Sequence, residues 1–139
     1  MLKNDYKHKV QYYETDQMGV VHHSNYIRWF EEARVEFMEW CDMGYAKMEE
    51  EGIISPVLEA NAKYLKMVKF GESVLIRTTI EEYDGIRLTV SYEIVNEETK
   101  EVCCTGYTKH CFIGENGKLV SLKRANEAFH QMFLAELKK

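Results

Sequence analysis

The chain has 139 residues, of which 45% are hydrophobic, 12% aromatic and 29% charged. This composition excludes disorder, collagen and low complexity and fits a single domain over residues 1–139, since domains usually run about 100–200 residues. Its 23 acidic against 18 basic side chains give a formal net charge of -5, which repels phosphate backbones and excludes a general nucleic-acid binder.

No stretch approaches the ~18 apolar residues of a membrane helix, and the start MLKNDYKHKV has no apolar block that would serve as a secretion signal. The expectation is a cytoplasmic protein without membrane insertion, whose Cys41, Cys103, Cys104 and Cys111 are reduced thiols rather than a disulfide framework.

Residues 6–13, YKHKVQYY, alternate and predict a first strand. After a polar loop, Ser24 or Asn25 supplies a helix cap, and a long stretch without Gly or Pro follows. On a helical wheel Tyr26, Trp29, Phe30, Ala33, Phe37, Trp40 and Cys41 share one broad arc, while Arg28, Glu31, Glu32, Glu36 and Glu39 gather opposite. So wide and aromatic an arc predicts a central helix wrapped by other structure; Trp29, Phe30 and Trp40 either trim a pocket or, the safer reading, belong to the core. Arg34 falls inside the apolar arc, where an unpaired guanidinium is costly; it must find a carboxylate or several carbonyls.

Residues 42–52 predict a short second helix closed by Gly52. Beyond Pro56 the period becomes two: 57–68, 73–83, 86–95 and 101–113 each alternate and predict strands. Short links at Gly71-Glu72, Asp84-Gly85 and Asn96 to Thr99 make them an antiparallel meander. Ser121 then caps a last amphipathic helix carrying Leu122, Ala125, Phe129, Met132, Phe133 and Leu137. The order predicts an α+β fold, a curved antiparallel five-strand sheet wrapped around one long central helix.

The loop between the first strand and that helix holds a carboxylate, a glycine and paired histidines. Backbone N–H groups around His23, Ser24 and Asn25 lack intrahelical partners and suit an oxyanion or polarised carbonyl. Gly19 allows the turn, and Asp16 is placed to stand beside whatever those groups bind. Taken alone, the same spacing also fits an aspartate that merely caps a turn.

The stretch YYETDQMGVVHHSNY, residues 12–26, resembles the active-site segment of hotdog-fold thioesterases of the 4-hydroxybenzoyl-CoA thioesterase type, including the acyl-CoA thioesterases associated with the Tol-Pal system. The residues that carry the likeness are Tyr12, Thr15, Asp16, Gly19, Val20, Val21, His22, His23, Tyr26, Phe30, Glu31, Ala33 and Arg34. The chain departs from that family in lacking prolines between Leu119 and Arg124 and an arginine at Gln11.

The resemblance implies hydrolysis of acyl-CoA thioesters, with Asp16 as general base or nucleophile and the His23 backbone N–H polarising the carbonyl; the His23 side chain either orients substrate or packs. Tyr12, Gly19, Val21, His22 and Tyr26 are implied around the substrate, with Tyr12 packing near Asp16. Lys63, Lys66, Lys69 and Arg87 are the candidates for the coenzyme A phosphates. It also implies edge-to-edge homodimers or homotetramers, an arrangement that an unpaired edge strand favours independently.

No cofactor is implied beyond the coenzyme A of the substrate. Adjacent Cys103 and Cys104 point to opposite faces of a strand and no C-x-x-C or H-x-x-x-H spacing occurs, which argues against a metal. Glu31 and Arg34 suit an i,i+3 ion pair. The rival readings are a hotdog dehydratase acting on hydroxyacyl thioesters and a binding or sensing module without turnover.

Overall fold

Residues 5–139 are described here from a computed structural model; residues 1–4, part of the stretch read for a secretion signal, lie outside them. In chain order the elements are β1 (Asp5–Lys9), α1 (Ser24–Trp40), α2 (Tyr45–Glu50), β2 (Val57–Tyr64), β3 (Ser73–Tyr83), β4 (Arg87–Asn96), β5 (Val102–Cys111), α3 (Leu122–Ala125) and α4 (Glu127–Glu136). The strands form one antiparallel curved sheet in the order β1-β3-β4-β5-β2.

Period-two burial decides the sheet's inner face. Val74, Ile76, Thr78 and Ile80 of β3 and Leu88, Val90, Tyr92 and Ile94 of β4 are buried. The other face carries polar pairs such as Arg77 Nε to Asp5 Oδ1 at 3.0 Å. Helix α1 seals the inner face with Tyr26, Trp29, Phe30, Ala33, Phe37 and Met38, all buried. Phe30 stacks on Tyr92 with ring centroids 4.4 Å apart. Burying an aromatic of this size stabilises by roughly 1.5–3 kcal/mol, so this face dominates the core.

Gly106 of β5 lies under Phe30, where a side chain would run into the ring and into the Asn61 carbonyl of β2. A glycine there lets helix, β5 and β2 close up together.

Five expectations are corrected. The first strand ends at Lys9, because Glu14 turns back onto the Gln11 backbone N–H and closes a 3-10 turn over Tyr12–Glu14. β2 ends at Tyr64 rather than 68, and residues 65–69 leave the ladder. Trp40, the last residue of α1, is 55% exposed and not core. The last helix is broken at Asn126, whose backbone is extended; its side-chain oxygen accepts from the Phe129 N–H and caps α4, while Ser121 makes no capping bond. Cys103 and Cys104, expected to face opposite ways, are both buried beside an irregularity in the β4–β5 register.

Among the described residues no helix is long and apolar enough to cross a membrane. One sheet edge, β2, is open and carries exposed Val57, Leu58 and Tyr64.

Candidate active site

The loop that joins β1 to α1 is a small closed unit. The Asp16 N–H donates to the Val20 carbonyl at 2.8 Å, and the Gly19 N–H donates to the Asp16 carbonyl at 3.0 Å with Gly19 at φ +77°. That backbone shape is strained for any side-chain-bearing residue. The Val21 N–H donates to the Val68 carbonyl at 2.8 Å, tying the unit to the segment after β2. Asp16 Oδ1 accepts from the Met18 N–H at 2.8 Å, so the carboxylate does cap a turn. Its second oxygen, Oδ2, has no partner among the described residues.

The helix start is narrower than expected. The Asn25 N–H is taken by the His22 carbonyl at 3.0 Å, and the Ser24 N–H by His22 Nδ1 at 3.2 Å. Neither Ser24 nor Asn25 caps the helix: the Asn25 side chain donates to the Glu14 carbonyl, and the Ser24 hydroxyl lies 2.8 Å from His22 Nδ1. Of the three amides expected to be unpartnered, only that of His23 has no hydrogen-bond acceptor among the described residues. Since His22 Nδ1 accepts, a neutral His22 ring carries its proton on Nε2.

These two unsatisfied groups belong to residues of one cleft of about 400 Å³, lined by Asp16, Val20, Val21, His23, Tyr26, Tyr64, Leu65, Lys66 and Met67. Asp16 is half-buried there. The Tyr64 hydroxyl reaches the His23 carbonyl at 3.4 Å, and its ring lies 5.2 Å from that of Tyr26. Burial raises the Tyr26 hydroxyl well above the ordinary phenol range, keeping it protonated. A carboxylate-bearing residue and a helix-start residue lining one cleft with apolar and aromatic walls suit attack on a carbonyl whose oxygen becomes negative.

The other expected residues are dispersed. Tyr12 is 77% exposed and packs edge-on against Phe70 at 5.5 Å, not against Asp16. His22 stacks on His23 at 4.2 Å but lies outside the cleft lining. Gly19 shapes the turn without lining the cleft. Lys66 does line it, held 3.2 Å from Glu101. Lys63 and Lys69 are exposed outside it.

Arg87 is at the other end of the sheet. It pairs with Cys111 while Tyr64 pairs with Cys104, and that separation along β5 is roughly 23 Å at the usual strand rise. Arg87 therefore contributes nothing to the cleft of its own chain.

Arg34 finds neither carbonyls nor a close carboxylate. Its Nε donates to the Tyr45 hydroxyl and its Nη1 to the Tyr92 hydroxyl, each at 2.9 Å, while Glu31 stands 3.9 Å from Nη2 as a loose, mostly exposed ion pair. Hydroxyl dipoles do the work that a carboxylate was expected to do.

Tyr64, Leu65 and Met67 went unforeseen because they sat inside a predicted strand; the only signal was that 65–69 is too apolar for a solvent-facing strand end. Glu14 was missed as well. It is 4% exposed and accepts from His8 Nε2, the Gln11 N–H and Trp29 Nε1, each at 2.8 Å. Burial pushes its carboxyl up, yet the Gln11 amide, His8 and the Trp29 indole outweigh this and hold it below the ordinary carboxylate range. Burial also pushes the Cys104 thiol up to about 12, so it is protonated and no nucleophile at neutral pH.

A family model described as the thioesterase-like superfamily matches residues 10–135. The chain belongs to this superfamily. It is a thioester hydrolase of the hotdog fold. A protein of Aquifex aeolicus whose name proposes an esterase is 38% identical over 119 residues, 86% of this chain and 91% of that one. YneP of Bacillus subtilis, whose name proposes an acyl-CoA thioesterase, is 33% identical over 126 residues, 90% of this chain and 91% of that one. Among solved structures, a DHNA-CoA thioesterase from Staphylococcus aureus superposes with a TM-score of 0.89 at 37% identity, covering 94% of this chain and 88% of the other.

Proposed function

We propose that the thioester hydrolase acts on acyl-CoA, with Asp16 as its base or nucleophile. The observation that carries the reading is that two residues lining one cleft each hold a group without a hydrogen-bond partner among the described residues, Asp16 Oδ2 and the His23 N–H. Asp16 either takes a proton from water as the water oxygen attacks the thioester carbon or attacks that carbon itself. The carbonyl electrons move onto oxygen, where the His23 N–H holds them. They return as the carbon–sulfur bond breaks and coenzyme A leaves as its thiolate, which takes up the proton that Asp16 removed from water. On the nucleophilic route the Asp16–acyl anhydride left behind is opened by water at the aspartyl carbon, which releases the acid, restores the carboxylate and frees the proton for the thiolate. A thioester is already activated toward attack, and one oxyanion donor is worth about 3 kcal/mol.

An aromatic acyl group suits the cleft best. Tyr26, Tyr64 and His23 offer ring faces, and the Staphylococcus relative is named for DHNA-CoA. The cytoplasmic location expected from the sequence is part of this proposal. The open β2 edge supports pairing with a second copy. Antiparallel pairing would set the Val57 end of one β2 against the Tyr64 end of the other, bringing Arg87 of one copy to the end of the sheet where the other's cleft opens.

Thiol release from a panel of aliphatic and aromatic acyl-CoA esters tests the proposal. Release by the unmodified protein that is lost in Asp16→Asn supports it; tight binding without release indicates a sensor, and enoyl absorbance a dehydratase. A single turnover in ¹⁸O-water separates the routes: general-base attack labels the acid at once, whereas a nucleophilic Asp16 first delivers its own unlabelled oxygen.

A further inference from the structure

A second cleft, of about 390 Å³, opens along the middle of α1 and shares no lining residue with the first. Arg34 lies in its wall, 7% exposed. Three of the guanidinium's contacts are to neutral hydroxyls: Tyr45 and Tyr92 at 2.9 Å and Thr108 at 3.5 Å. Those bonds occupy Nε and Nη1. Nη2 has no hydrogen-bond acceptor among the described residues, and the nearest carboxylate, Glu31, stands 3.9 Å off on an exposed side chain.

Ser55 lines the same cleft with a buried hydroxyl that has no partner among the described residues. The remaining wall is largely apolar, formed by Val35, Ile53, Ile54, Pro56 and Val57. A buried cation fixed on two sides by hydroxyls has on the third only the loose, mostly exposed Glu31 carboxylate to offset its desolvation.

We infer that this cleft binds the carboxylate of a small organic acid with an apolar body, seated on Arg34 Nη2. The volume falls in the range of small-molecule sites, and the Arg34 fork is preorganised by Tyr45 and Tyr92 before any ligand arrives. Glu31 and Glu49 at the rim oppose an anion, so neutralising Glu31 strengthens binding. Asp16 takes no part in this site.

Benzoate is the probe, titrated into the full chain and followed by amide NMR shifts, with neutral benzamide as its isostere. The expected result is saturable shifts at Val35, Ile54 and Ser55, with benzamide at least about tenfold weaker. Val35→Trp, which fills the cleft from an exposed helix position, loses about tenfold or more of the benzoate affinity, and Glu31→Gln gains about two- to threefold. Equal binding of benzoate and benzamide overturns the inference. So do shifts centred on Val21, His23 and Tyr64, or a Glu31→Gln variant that binds benzoate no better.

Discussion

Trp29 Nε1 donates to Glu14 Oε2 at 2.8 Å, so the central helix grips the loop that carries Asp16 through one buried carboxylate. The Glu14 carbonyl accepts from the His22 N–H and from the Asn25 side chain as well, tying the same residue to both sides of the helix start. Replacing Glu14 by Gln leaves a donor facing donors. The expected loss is about 1–3 kcal/mol of stability in urea unfolding, with thiol release falling alongside. Because the Glu14 carboxyl is held below its unfolded value, its contribution is complete above the ordinary carboxylate range and is lost as pH falls through the folded value. Acid unfolding of the Gln variant should lack that component.

Asp16→Asn is expected to separate chemistry from folding. An asparagine Oδ1 still accepts the Met18 N–H, so the turn survives and the melting temperature should stay within about 2 °C. Thiol release should fall by about 100-fold or more while coenzyme A ester affinity changes little. A variant that keeps most of its turnover would remove Asp16 from the mechanism.

His110 gives a pH dependence of its own. Burial first, and then the charge of Arg34, push it down to about 4 from an ordinary 6.5. The unfolded chain therefore takes up a proton that the folded chain refuses, and stability falls as pH drops from about 6.5 to about 4. This window opens at higher pH than that of Glu14. Urea midpoints measured across it should flatten in His110→Gln, which keeps a polar group near Thr108 but does not titrate.

Gly106→Ala tests the close approach of helix and sheet. The added methyl meets the Asn61 carbonyl and the Phe30 ring, and backbone cannot swing aside as a flexible side chain would. An overpacking cost of about 1–3 kcal/mol is expected, with faster amide exchange along the β2–β5 ladder. Gly117→Ala, where nothing lies within 4 Å, supplies the contrast: its cost comes only from φ +74°.

What could be read from the chain depended on periodicity. β3 and β4 alternate cleanly because one face is core, and their limits fell within a residue of expectation. β2 is exposed along most of its length, so its pattern carried less information and its end was overrun. Arg34 stood out as a charge in an apolar arc, but its answer lay in Tyr92 and Thr108, far along the chain. Nothing in the sequence set Glu14 apart; only the three-dimensional approach of Trp29 makes it a buried anchor. The turn from Asp16 to Val20 was legible because its bonds are local, whereas the helix start after it was not, since His22 fills two of the three amides expected to be open.

That locality has a further effect. Asp16 and His23 sit at the two ends of one short hydrogen-bonded loop, whereas Tyr64, Leu65 and Met67 reach the cleft from a distant stretch of sequence. On the proposed reading, chemistry and selectivity are carried on separate cassettes. A library that randomises only 64–67 should yield catalysts of altered taste that still share one reaction.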